Sequence, residues 1–188
     1  MHRLFVALAL PDDVIDALVE LQNGLRGARW LAPDNFHLTL AFIGETDRHG
    51  FNEVASALSS IAAPGFDLRL KGCGFFGDRK PRALWAGVEA NAALMHLQSK
   101  VCVALRRAGF ADEKRKFSPH VTLAYLNGMA RNSAAEFCAV NGLFSAGPFA
   151  VDAFHLFESH LGSEGAHYEI AETYRLQRFE LAVNAAAG

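Results

Sequence analysis

Apolar and polar positions along this chain change period repeatedly, and the changes mark out strands and helices in alternation. Residues 3–10 are apolar almost without a break, the pattern of a strand covered on both faces. Pro11, Asp12 and Asp13 then open a helix, because proline and acidic groups suit a first helical turn. Val14, Leu18, Leu21 and Leu25 recur behind them at helical spacing. A strand over about 36–44 ends at Gly44, and a helix over about 50–63 sets Phe51, Val54, Leu58 and Ile61 on one face. A strand near 66–71 closes this half, and the stretch Gly72–Pro81, rich in glycine and charge, reads as a loop.

The order then repeats. A strand over about 83–88 carries Leu84, Trp85 and Val88, and a helix over about 91–108 buries Leu94, Leu97, Val101 and Leu105. A strand at 118–126, a short helix near 132–141 and a strand near 149–157 follow. A strand around 167–176 and an apolar tail at Phe179–Val183 complete the chain. Both halves read strand, helix, strand, helix, strand, which implies an internal duplication of roughly 80 residues.

The central strands show the repeat most clearly. One reads Phe36-His37-Leu38-Thr39-Leu40-Ala41-Phe42-Ile43, the other Pro119-His120-Val121-Thr122-Leu123-Ala124-Tyr125-Leu126. Alternate side chains of a strand share a face, so His and Thr point one way and Leu38, Leu40, Val121 and Leu123 the other. Each strand thus has an apolar back and a front that offers an imidazole and a hydroxyl, with Ala41 or Ala124 expected to keep the space beyond them open. The chain has eight histidines and four threonines, and chance would place roughly 0.2 pairs at this spacing. Two such pairs in matched strands are therefore read as chemistry.

That chemistry fits phosphodiester cleavage. The reaction needs a base for the nucleophile, an acid for the departing oxygen and donors for the phosphoryl oxygens. Two facing histidines can divide the first two roles near neutrality, because an unperturbed imidazole titrates at about 6.5. Each Thr hydroxyl, one pleat repeat along, can donate to a non-bridging oxygen. Neither a metal nor another cofactor is required.

Composition narrows the setting. Half of the 188 residues are hydrophobic and a fifth are charged, as in a soluble globular protein of one domain or two small lobes sharing a core. A net charge of −2 argues against coating nucleic acid or membrane by bulk attraction, so any RNA contact is local, through a cleft. No apolar run approaches the roughly 20 residues needed to span a bilayer, and the opening run is too short for a signal sequence. Cys73, Cys102 and Cys138 are unclustered and read as small buried thiols in a reducing cytoplasm. The unpatterned charge favours a monomer.

Together these features resemble the 2H phosphoesterase superfamily, and especially its RNA 2′,3′-cyclic phosphodiesterase (LigT-like) branch. The resemblance covers nearly the whole chain. It rests on Arg3 through Leu8, Trp30 through Gly44, Gly74-Phe75-Phe76-Gly77, Pro81-Arg82, Leu84 through Val88, Phe117, Pro119 through Ala124, Glu158 through Leu161 and Tyr168. It implies a bilobal, duplicated α+β fold with two mainly antiparallel sheets flanking a central cleft and helices outside. The domain would span 1–188, with pseudo-symmetric lobes at about 1–80 and 81–188. It further implies hydrolysis of a 2′,3′-cyclic phosphate to a 2′-phosphate, with His120 as the base that activates water and His37 as the acid that protonates the 3′ oxygen. Thr39 and Thr122 would bind substrate, an RNA end or nucleotide bearing the cyclic phosphate. Some relatives also join RNA ends through 2′,5′ linkages. Many carry Arg where this chain has Tyr125 and a basic residue where it has Ser118, so the phosphate-facing charge is expected from Arg115 or Lys116.

Other candidates are weaker. Lys114-Arg115-Lys116 and Arg79-Lys80-Pro81-Arg82 are divided evenly between solvated loop charge and contact with an RNA backbone. Trp30, Phe75, Phe76 and Trp85 are expected in the apolar core ahead of stacking on bases. His155, His160 and His167 follow no metal-binding spacing, and His2, His49 and His96 read as surface residues. A metal-dependent hydrolase and a non-catalytic binder of RNA ends stay open as alternatives.

Overall fold

The computed structural model describes residues 1–110, 116–162 and 165–177. In chain order its elements are β1 (His2–Ala9), α1 (Asp12–Glu20), β2 (Ala28–Trp30), β3 (His37–Thr46), α2 (Arg48–Ser59), β4 (Phe66–Phe76) and β5 (Ala83–Val88). Then come α3 (Ala92–Arg107), β6 (His120–Leu126), α4 (Arg131–Val140), β7 (Ser145–Val151), β8 (Ala153–Gly162) and β9 (Gly165–Arg175). The architecture is α+β, as the sequence implied. The apolar tail at Phe179–Val183 lies outside the described residues.

The strands run β7-β4-β5-β6-β3-β1-β8-β9, with β2 added to β6, and every pairing of named strands is antiparallel. The two expected sheets are the two ends of this order, joined at one narrow seam. Between β3 and β6 a single register pair holds, Leu38 against Val121. Both side chains are buried on the back, so the residues beside them, His37 and His120, are carried to the same place on the front.

β7 and β8 stand near opposite ends of the strand order, yet Asp152 alone separates them in sequence. One residue spans less than about 4 Å per virtual bond, so the sheet must fold back on itself until its halves meet at that end. A second link agrees: Gly65, just before β4, donates its N–H to the carbonyl of Gln177, just after β9. The halves therefore flank a cleft rather than lie flat.

Several boundaries differ from expectation, each for a local reason. The strand expected at 149–157 is two strands, because the apolar run continues through the crossover at Asp152 while its pairing partner changes from β4 to β1. The strand at 66–71 does not close the first half: it runs on to Phe76 and pairs with β5 and β7. The supposed Gly72–Pro81 loop is thus partly strand, and its glycines serve close packing, since a Cβ on Gly74 would collide with the indole of Trp85. Leu21 and Leu25 are buried but lie beyond the end of α1, so they fill the core from a turn.

Two of the helices, α2 and α3, combine an apolar stripe with a side-chain cap. Asp47 accepts from the Gly50 N–H at the start of α2, and Asn91 from the Leu94 N–H at the start of α3, each satisfying an orphan donor. Val54 and Leu58 of α2 and Leu94, Leu97, Val101 and Leu105 of α3 join one large core behind the sheet. A second, small cluster, Phe5, Ala7 and Phe157 with Tyr168 against it, is separate from that core. Among the described residues no helix is long and apolar enough to cross a membrane.

Candidate active site

The two motif strands deliver matching constellations. His37 is reached through a short 3₁₀ turn at Pro33–Asn35, and its Nδ1–H donates to the carbonyl of Asn35, 2.8 Å away. The Nδ1–H of His120 donates to the carbonyl of Ser118 at 2.7 Å. In both, a histidine binds the carbonyl two residues before it. A carbonyl can only accept, so each ring carries its proton on Nδ1 and keeps Nε2 free for chemistry.

Aromatic rings from neighbouring strands hold each imidazole. His37 has Phe5 at 4.9 Å between ring centres, Tyr168 edge-on at 5.1 Å and Phe157 at 6.0 Å. His120 has Phe76 edge-on at 4.8 Å and Trp85 at 6.4 Å. These rings strip water from the imidazoles, and burial is the main reason that both titrate below the ordinary value. The His37 pKa is lowered to about 4, chiefly by burial, against which the Asn35 carbonyl pulls upward while neighbouring His120 adds a further push down. His120 is also lowered by burial, with the Ser118 carbonyl opposing. His37 thus senses the charge of His120, which places the two rings near one another. Two buried side-chain atoms among the described residues find no hydrogen-bond partner, Asn35 Oδ1 and Trp85 Nε1. Each belongs to a residue bordering one of the histidines, where a bound substrate or water can supply the missing partner.

Thr39 and Thr122 are half-buried, between buried neighbours, on the same face as the histidines. Beyond them the strict alternation stops. Against β1, Ala41 and Thr39 face Val6 and Ala7, so Leu40 is an extra residue; against β5, Ala124 and Thr122 face Leu84 and Trp85, so Leu123 is extra. These bulges sit three residues after each histidine and turn the chain over by one face. Ala124 is accordingly buried in the main core and Ala41 packs against it, instead of keeping the front open. The third front position falls to Phe42 and Tyr125, which are 59% and 38% exposed.

The remaining candidates separate cleanly. Phe76 and Trp85 border His120, whereas Trp30 packs on the core beside Phe137 and Phe75 packs there under Arg131. Lys114 and Arg115 lie outside the described residues, while Lys116, Arg79, Lys80 and Arg82 are exposed. His155 bonds Thr173, and His160 faces His167 across the β8–β9 hairpin with Glu169 near both. No three of the described His, Cys, Asp and Glu side chains are grouped to hold a metal ion. His49 and His96 are exposed, but His2 is half-buried and bonds Glu158 at 2.9 Å. Phe5, Phe157 and Arg29 carry no sequence signal of a role: the two aromatics lie on expected strands whose partners no local pattern names, and Arg29 lies on β2, a three-residue strand that the sequence does not predict.

The model of the 2′-5′ RNA ligase superfamily matches residues 10–163, which include both His-x-Thr strands. The chain belongs to that superfamily. This bears out the 2H phosphoesterase resemblance drawn from the paired motifs. Within the superfamily, the chain is 31% identical over 175 residues to an RNA 2′,3′-cyclic phosphodiesterase of Thermotoga maritima, covering 89% of this chain and 92% of that one. A protein of the same name from Aeropyrum pernix is 36% identical over 140 residues, covering 72% and 79%. Among solved structures, E. coli LigT in its apo form superposes with a TM-score of 0.78 at 26% identity, covering 94% of this chain and 98% of that one. The same protein complexed with 3′-AMP gives 0.77 at 25% identity with the same coverage.

Proposed function

We propose that this superfamily member is an RNA 2′,3′-cyclic phosphodiesterase that opens a terminal cyclic phosphate to a 2′-phosphate. The observation that carries the reading is the pair of imidazoles, each fixed by its carbonyl two residues back and meeting across the Leu38–Val121 seam with Nε2 free. His120 Nε2 takes a proton from water as its oxygen attacks phosphorus. The bond from phosphorus to O3′ breaks, and His37 gives its Nε2 proton to that oxygen. The products are a 2′-phosphate and a 3′-hydroxyl, and solvent resets both rings. Thr39 and Thr122 donate to the non-bridging oxygens. In the free protein His37 is a weak base, so the anionic phosphate itself must raise its pKa enough to load the proton. The relatives named RNA 2′,3′-cyclic phosphodiesterase support the substrate class.

The matched family's description supports a second reaction at the same site, in which an RNA hydroxyl replaces water and a 2′,5′ linkage forms. We also infer a cytoplasmic monomer, one domain of two pseudo-symmetric lobes. None of the three cysteines is in a disulfide and all are half-buried instead of fully buried, and burial pushes the Cys73 thiol up to about 11, which suits an unreactive thiol in a reducing compartment.

The test is turnover, with chelator present, of an RNA oligonucleotide ending in a 2′,3′-cyclic phosphate, read by phosphorus NMR. The wild type should give the 2′-phosphate, and His37→Ala and His120→Ala should each lose at least a hundredfold in kcat. No turnover by the folded wild type would remove the enzymatic reading and leave a binder of RNA ends. Activity lost only on chelation would assign the chemistry to a metal.

A further inference from the structure

The bulge at Leu123 does more than bury Ala124. It brings Tyr125 onto the front of β6 as the next residue after Thr122, where the short strand β2 runs alongside. Arg29 is the direct cross-strand partner of Tyr125, and its guanidinium lies over the phenol ring, 5.0 Å from the centre. Both side chains are exposed. Three other arginines of the described surface are tied to carboxylates, Arg69 to Glu89, Arg131 to Asp78 and Arg175 to Asp152. Arg29 has an aromatic ring in that place, which fixes the plane of the guanidinium without using any of its five N–H donors.

Its position ties it to the cleft. Arg29, Arg3 and Tyr125 all lie close enough to act electrostatically on the hydroxyl of Tyr168, and the Tyr168 ring stands edge-on to His37. Arg3 is on β1, two residues before Phe5, and so shares the front face with it. A molecule with an overall charge of −2 thus gathers two cations at one end of the cleft. Tyr125 is three residues beyond Thr122, about 7–10 Å further along the strand. A phosphorus atom held between the imidazoles and the Thr hydroxyls is out of its immediate reach, but a neighbouring phosphate of the same strand is not.

We propose that the Arg29–Tyr125 stack is a second phosphate site, which grips the RNA backbone next to the cyclic end and makes the protein select oligonucleotides over 2′,3′-cyclic mononucleotides. This rests on the proposed phosphodiesterase reading and narrows its substrate class. A planar guanidinium already oriented on a ring loses little freedom on meeting two phosphate oxygens, so it serves this purpose better than the mobile lysines of a surface loop.

The test is equilibrium binding of two products that need no turnover, a nucleoside 2′-phosphate and a tetranucleotide ending in 2′-phosphate. The wild type should prefer the tetranucleotide at least tenfold. Arg29→Gln should cut that preference on the order of tenfold and lower the salt slope for the tetranucleotide by about 0.7. Tyr125→Ala should reduce it as well, and Tyr125→Phe, which keeps the ring, should restore it. Arg48→Gln, the same charge change at the start of α2, should leave the preference at the wild-type level. A wild type with no preference, or an Arg29→Gln variant that keeps the full preference and slope, would overturn the second site. Failure of the parent reading looks different: the wild type would not turn over a cyclic phosphate, whatever these affinities are.

Discussion

Burial sets the working range of the two histidines. Both imidazoles titrate below 6.5 in the free protein, His37 at about 4, because the charged ring is the form that the aromatic cradle excludes. The reaction needs one ring protonated and the other neutral, and kcat/KM follows the free protein. Above pH 6.5 both rings are neutral and the proton donor is lost; below about 4 both are charged and the base is lost. The bell for kcat/KM should therefore peak between these values, with apparent constants that belong to the pair. It should fall about tenfold per pH unit on the alkaline side. The bell for kcat should sit higher, since bound phosphate stabilises an imidazolium. An optimum of kcat/KM above pH 7 would show that the aromatic cradle does not hold both imidazoles below 6.5. The histidines were legible in the sequence because their setting occurs twice. Their cradle was not: Phe5, Phe157 and Tyr168 come from strands whose pairing no local pattern encodes, and β8 and β9 follow His37 by more than a hundred residues.

Among elements, those built from local information were read well. The amphipathic stripes of α2 and α3 and their caps lie within a few residues of one another, and the observed helices start within two residues of expectation. The glycine-rich stretch Gly72–Pro81 reads as a loop in the sequence because glycine is a turn residue on its own. In the fold its first residues, 72–76, are the end of β4, where Gly74 lets Trp85 lie against bare backbone. Gly74→Ala tests this. Its Cβ meets Cη2 and Cζ2 of Trp85, so the indole must leave its place between Phe76 and His120. Overpacking of this kind costs roughly 1–3 kcal/mol. Urea unfolding should report that loss, and kcat should drop severalfold as the His120 ring loses its fixed angle. A variant with lowered stability and unchanged kcat would show that Trp85 only fills space.

For the whole molecule, the sequence suggests two consecutive halves and the chain builds them otherwise. β4 leaves the first 80 residues to pair with β5 and β7, while β8 and β9 return from the C-terminal part to pair onto β1. One group is therefore β1, β3, β8 and β9, the other β4 through β7 with β2 on β6, and neither is a continuous segment. A repeat in sequence shows that two segments share a pattern, but hydrogen-bond partners are chosen by the sheet edges available, which the pattern does not name. The exchange has a consequence for stability. Residues 1–80 alone would leave β1 open along the edge that β8 covers and would leave β4 with neither of its neighbours, so buried leucines such as Leu68 and Leu70 would face water. A fragment of that size has little core to spare. It should show no cooperative urea transition and little far-ultraviolet signal beyond nascent helix, whereas the full chain should unfold in one transition, because each half contains strands of the other. A cooperative transition in the fragment would mean that the first half holds together without its borrowed strands. The seam at Leu38 and Val121, and the site built on it, would then form by the docking of two finished units.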